Sequence, residues 1–197
     1  MLKDRFRKFL PVVVDLETGG FDAEENPILE IAIQLVDWES NQLVLGDSYR
    51  HHVDPFEGLT LNQESLDFLK LDLSHPLRVS VDEKTAITDL FKIINKHKSK
   101  YECSRAILVG HNAFFDHSFL LAACKRNNIK KSPFHPFSLI DTVSLGVLAT
   151  KQTVLARVCK ELNVEYDNDE AHSAAYDAKV TAEVFCSIVN SFDADAE

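Results

Sequence analysis

The apolar run VVV at residues 12–14 ends in DLET, a pattern that predicts a buried strand over VVVDLET. ILEIAIQLVDW follows as a longer strand with alternation in its middle, and LVLGDSYRHHV as a third. Short connections between these three predict an antiparallel meander. LNQESLDFLKL has the spacing of a short helix with Asn62 as its cap. DEKTAITDLFKIINKHKSK is amphipathic, with Ile87, Leu90, Phe91 and Ile94 on one helical face. Beyond it the pattern alternates: AILVG as a short buried strand, FDHSFLLAACKRNN as a helix, and SLIDTVSLGVLA as a last strand running into a helix. VLARVCKELN and AAYDAKVTAEVFCSIVN close the chain as helices. Strands first, then strand–helix alternation, predict an α/β fold with a mixed five-stranded sheet flanked by helices. Asp15 is expected to end the first strand, and Asp116 to open the helix after the fourth.

Composition narrows the class. At 197 residues, 45% hydrophobic and 26% charged, one globular domain over residues 1–197 is expected. No apolar run is long enough to span a bilayer, and MLKDRFRKFLPVVVD places charges where a secretory core would be, so a cytoplasmic chain is expected, with no membrane partner. The four cysteines show no CxxC pairing, and Cys124, Cys159 and Cys186 fall in helical apolar patterns. Reduced core thiols are the expectation, not zinc ligands or disulfides. A net charge of −10 speaks against coating nucleic acid by charge alone. Lys3, Arg5, Arg7 and Lys8 form a local basic run, either a strand-guiding patch or a solvated terminus.

The charges inside the apolar pattern carry the chemistry. Asp15 and Glu17 are two apart on an extended segment, so both point to one face. Ionised groups behind an apolar VVV are rarely buried unless paired or metal-bound. Asp116 in GHNAFFDHSFL and Asp177 in AHSAAYDA each fall in a first helical turn, where an acid commonly serves the helix dipole. Their weight comes from combination. Four carboxylates on three separated segments suit magnesium or manganese, hard ions that take oxygen donors and keep waters. Two such ions roughly 3.5–4 Å apart can activate a water and stabilise the leaving oxygen of a phosphodiester. His172, five residues before Asp177 in a polar segment, is the candidate general base, because imidazole titrates near neutrality. His111 and Asn112 are read as organising the turn before Asp116. The remaining six histidines are read as structural or exposed.

The three segments resemble the three motifs of the DEDD superfamily of 3′→5′ exonucleases, and specifically its branch with histidine five residues before the last aspartate. In the tyrosine branch a Tyr stands four before it, where this chain has Ser173. The resemblance covers nearly the whole chain. It implies a ribonuclease H-like fold, Asp15, Glu17, Asp116 and Asp177 as ligands of two Mg2+ ions (with Mn2+ able to substitute), and His172 as the general base. DRFR, ETGGF, HHVDPF, KKSPFHPF, KQTVL and AHSAAYD further resemble an RNA-trimming family within that branch. That likeness implies base stacking by Phe21, Phe68, Phe115 and Phe137, with Glu64 contacting a base edge. Phe21 and Phe115 are the preferred pair, whereas Phe114 and Phe119 are read as packing. It also implies a homodimer in which Arg5, Arg7 and Arg105 form a patch serving the partner's site. After Phe68 this chain has LKL where that family carries an Asn-Gly-Ile-type turn.

The expected activity is a metal-dependent 3′→5′ exoribonuclease. It would trim single-stranded 3′ ends of transfer RNA and other stable RNAs, cut single-stranded DNA as well, and release nucleoside 5′-monophosphates. A DNA proofreading-type nuclease or an oligoribonuclease are the enzyme alternatives. A nucleic-acid-binding module is the non-enzyme one.

Overall fold

The computed structural model describes residues 1–194 apart from Ser74, Pro76 and Leu77. The end of the acidic C-terminal run falls outside the described residues. A short helix α1 (Leu2–Arg5) leads into strand β1 (Phe9–Thr18), followed by β2 (Ile28–Glu39) and β3 (Gln42–Val53). Helix α2 (Gln63–Leu69) and the two-residue β4 (Ser80–Val81) precede the long α3 (Glu83–Lys100). Then come β5 (Arg105–Gly110), α4 (Ala113–Arg126), β6 (Phe134–Asp141), α5 (Thr142–Thr150), α6 (Leu155–Leu162) and α7 (Ala174–Ala194).

The sheet has six strands in the order β4-β3-β2-β1-β5-β6, not five. The additional strand is β4, which pairs in parallel with the end of β3 through only two residues, too few for any periodicity to register. The expected meander is present: β1–β2 and β2–β3 are antiparallel, and Ser40 and Asn41, both in the left-handed region, make the two-residue turn. β5 and β6 add in parallel beside β1.

β1 is therefore the central strand, paired on both sides, which is why its apolar residues run without alternation. It is also longer than expected. Asp15 lies inside it, not at its end, because pairing with β2 continues to Thr18. The register shifts between Glu17 and Thr18, a bulge of the kind that re-aims side chains at the rim of a sheet. β2 is buried on both faces along most of its length instead of alternating, because α7 and α3 both pack on it. α3 is capped by Asp82, whose carboxylate accepts the Thr85 N–H at 3.0 Å, and buries the predicted stripe Ile87, Leu90, Phe91 and Ile94.

α2 is the exception to this tight packing. It is capped by Asn62, which accepts the Glu64 and Ser65 N–H groups, but none of its residues is buried. It ends at Lys70 with φ 50°, the left-handed conformation that glycine adopts without penalty, in the very segment where the sequence departs from the family turn. Lys70→Gly should raise stability by about 1 kcal/mol, read as a higher midpoint in urea unfolding at unchanged slope. An unchanged or lower midpoint would show that the Lys70 side chain offsets the strain.

Candidate active site

Side chains at positions 15 and 17 point to the same face of β1, and the start of α7 brings a third acid to them. One carboxylate oxygen each from Asp15, Glu17 and Asp177 lie within 4.8 Å of one another. Asp116, in the first turn of α4, is 4% exposed and accepts the Leu16 N–H at 3.0 Å, which ties it to β1 between the two strand acids. The turn that delivers it is built by the expected pair. Asn112 takes a left-handed conformation, and His111 is held between the Thr142 hydroxyl and the Thr153 carbonyl, both at 2.9 Å. Asp141, at the start of α5, completes the brace, accepting the Ala113 N–H at 2.9 Å and the Val143 N–H at 2.8 Å. Its role did not show in the sequence, where it sits at the end of an ordinary strand pattern.

His172 lies in the loop before α7, exposed, with φ 70°. Its N–H donates to Asp177 Oδ2 at 3.0 Å, and its ring rests against Phe68 of α2, with centroids 4.4 Å apart. The histidine is thus held at both ends, its backbone on a site carboxylate and its ring on an aromatic.

The electrostatics of the cluster ask for cations. Burial first, and the charges of Asp116, Glu17 and Asp177 next, push the Asp15 carboxyl far above the usual carboxylate range. Burial, with Asp177 and Glu30, pushes Glu17 up to about 8. Burial pushes Asp116 up to about 8 even though it accepts backbone N–H groups. Asp177 is raised by burial and partly relieved by the His172 N–H. Oxygen-only donors carrying this much unbalanced negative charge fit hard divalent cations, which would hold all four ionised.

Beside the carboxylates opens a cavity of about 340 Å³ lined by Glu17, Phe21, Glu64, Phe68 and Phe115. Phe21, on the turn after β1, is 85% exposed, and its ring meets that of Phe115 at 6.4 Å. Phe68 lines this cavity as fully as the two favoured from sequence, because α2 folds over the end of β1. Phe137 does not line it. That ring is 79% exposed on β6 and packs edge-on against His135 at 4.6 Å. Phe119 is fully buried as expected, but Phe114 is 76% exposed, contrary to its reading as packing: α4 turns that position outward while Phe115 faces the site. The turn carrying Phe21 is anchored by Arg126, which donates to the Ala23 carbonyl at 3.0 Å and pairs with the buried Glu83.

The basic residues lie elsewhere. Arg105 opens β5 opposite Phe9, the first residue of β1, six positions before Asp15 and so roughly 20 Å along the strand. Arg5 and Arg7 are in and just after α1, at that same end.

A metal-assisted nuclease is the class that this cluster and its aromatic cavity define, and comparison with known proteins makes the class specific. The family profile RNase_T, described as Exonuclease, matches residues 12–185. The chain is 45% identical over 191 residues to ribonuclease T of Histophilus somni, covering 96% of this chain and 88% of that protein. It is 48% identical over 195 residues to ribonuclease T of Vibrio cholerae, covering 98% and 87%. Among solved structures, the nuclease domain of 3′hExo, a DEDDh family member, superposes with a TM-score of 0.68 at 18% identity, covering 92% of each chain. Escherichia coli exonuclease I in complex with a dT13 oligonucleotide superposes with a TM-score of 0.69 at 15% identity. This chain spans 43% of that protein. Both likenesses concern the fold, which is ribonuclease H-like. The chain belongs to the ribonuclease T family of exonucleases, and its activity is that of a 3′→5′ exoribonuclease, a phosphodiester hydrolase.

The raised carboxyls set a pH dependence for the metal-free protein. Glu17 and Asp116 hold their protons to about 8 in the folded state and to roughly 4 in the unfolded chain. Between those values the folded state binds more protons, so stability falls as pH rises through the window. In the presence of EDTA the melting temperature should drop from pH 5 to pH 8, and millimolar Mn2+ at pH 8 should recover it by binding the folded state. Glu17→Gln should flatten the slope. A slope untouched by both would remove these groups as its source.

Proposed function

We propose that this exonuclease removes nucleotides from single-stranded 3′ ends of transfer RNA and other stable RNAs, and from single-stranded DNA, using two Mg2+ ions that Mn2+ can replace. The observation that carries this reading is the meeting of Asp15, Glu17 and Asp177 oxygens beside a cavity walled by three phenylalanines. Asp15, Glu17, Asp116 and Asp177 would hold the cations. When bound, these would polarise the attacking water and offset charge on the leaving oxygen.

The chain's own groups do the rest. The terminal base would stack in the cavity on Phe21, Phe68 and Phe115, worth roughly 1–3 kcal/mol per base and tolerant of sequence. Glu64, exposed on the first turn of α2 at the cavity wall, would meet a base edge. His172 accepts the proton of the attacking water as the new P–O bond forms. The bond to the penultimate 3′-oxygen then breaks, that oxygen takes a proton from solvent, and a nucleoside 5′-monophosphate leaves. Phe68 both walls the cavity and touches the His172 ring, so seating the base and freeing the histidine are coupled through one side chain. A cytoplasmic location is part of this reading. Four buried cysteines without disulfides suit a reducing compartment.

A homodimer is also part of it. The protein carries a net charge of −10, and Arg5, Arg7 and Arg105 sit at the far end of β1 from Asp15, away from the same protomer's carboxylates. A two-fold partner would bring them to the other site. Phe137, exposed next to His135, is absent from the lining of its own protomer's cavity and would serve the partner's.

Two experiments test the reading. With Mg2+ and a 5′-labelled RNA hairpin bearing a four-nucleotide 3′ overhang, shortening from the 3′ end that stops near the duplex and vanishes with EDTA is expected. Asp15→Ala and Asp177→Ala should abolish it with circular dichroism unchanged, and His172→Ala should lose roughly 10²–10⁴ in rate. Full activity in any of the three overturns the assigned role. Light scattering at micromolar concentration should give twice the 22.2 kDa chain mass; a fully active monomer would sink the dimer.

A further inference from the structure

The interior of β2 is apolar from Ile28 to Val36 save for Glu30 and Gln34, and Glu30 is only 5% exposed. Gln34 is accounted for, since its amide donates to the Leu35 and Gly46 carbonyls. Glu30 is not. Its register partner on one side is Glu17 and on the other His52, so the three form one row across β1, β2 and β3, on the face that carries Asp15. Arg50 Nη1 lies 3.8 Å from Oε1 and His52 Nδ1 lies 3.4 Å from Oε2. Neither contact is a hydrogen bond: among the described residues, Glu30 Oε1 and His52 Nδ1 are buried without a partner.

A buried carboxylate with an unsatisfied oxygen is unfavourable, and a like charge directly across the strand pair makes it more so. An ion pair with Arg50 could be the whole reason for keeping it, but that guanidinium is half exposed and 3.8 Å away, and burial lowers the His52 pKa so that its ring is a poor cation: together they are weak compensation. The charge of Glu30 acts instead on the site, because its register partner on β1 is Glu17, whose side chain shares a face with Asp15. A cation between those two carboxylates would answer all three negative charges at once.

We propose that Glu30 is a positioning acid of the metal site. It stays outside the group of oxygens that Asp15, Glu17 and Asp177 bring together. Standing behind Glu17, it repels that carboxylate toward the cations and adds a buried negative charge that tightens their binding. Arg50, 3.8 Å from Glu30, tempers its charge from the far side.

The inference rests on the metal reading of the carboxylate cluster, so the experiment separates the two. Binding of Mn2+ alone, without nucleic acid, is followed by electron paramagnetic resonance of the free ion, with melting curves for every variant. Asp15→Asn should lose high-affinity binding; if it binds as the parent does, the metal reading fails and Glu30 with it. Glu30→Gln, nearly isosteric, should weaken binding about tenfold, from the loss of one charge a few ångströms behind a ligand. Glu30→Asp should recover most of that loss, and Arg50→Gln should tighten binding. If Asp15→Asn loses binding while Glu30→Gln stays within about twofold of the parent, Glu30 is a structural ion-pair residue and the proposal is overturned, whatever its melting temperature. A Glu30→Asp variant as weak as Glu30→Gln would overturn it equally, since charge would not be what matters.

Discussion

Like charges forced together out of water are the constraint around which this protein is arranged. Asp15 and Glu17 cannot avoid each other, because two residues apart on a strand means one face. β1 cannot move them apart, because it is the central strand, paired on both sides, and it holds both half-buried. Asp116 and Asp177 then arrive from the first turns of α4 and α7. Without cations the cluster resolves by keeping protons; with them it becomes a compact set of hard oxygen donors. The positions of α4 and α7, the bulge after Glu17 and the brace of His111, Thr142 and Asp141 all hold that crowded arrangement in place.

The substrate side of the site is built on the opposite plan. Its wall is α2, a helix with no buried residue, tied to the rest by the Asn62 N–H, which donates to the Gly19 carbonyl at 2.7 Å, and by Phe68 against His172. An acidic floor tied to the central strand thus faces a lightly anchored aromatic wall. Low local packing is what lets such an element move without cost to the core. The Phe21 turn is the firmer wall, tied through Arg126 and Glu83 to α4 and α3.

The protein's charge is distributed to match. The acidic site, the aromatic cavity and the basic residues near α1 and β5 occupy opposite ends of β1, and the length of the strand keeps them apart. Separation prevents Arg5, Arg7 and Arg105 from neutralising the carboxylates that need cations. It also leaves all three arginines exposed.

Much of this was legible in the sequence because it depends on local spacing. The two-residue interval of Asp15 and Glu17, the five-residue interval of His172 and Asp177, the Asn62 cap and the α3 stripe are all local properties of one stretch of chain. What sequence missed depends on contacts between elements. The sixth strand is two residues long and exists only through its pairing with β3. Phe114 and Phe115 are adjacent and alike, and only the docking of α4 turns one outward and the other into the cavity. Glu30 is a charge in an apolar run, the same signal that singled out Asp15, but its meaning waits on register. Only pairing of β2 with both neighbours sets it between Glu17 and His52. Side-chain identity and spacing decide what chemistry a segment can offer; strand register and helix docking decide which of those groups meet, because proximity across the sheet is not written in any one stretch of chain.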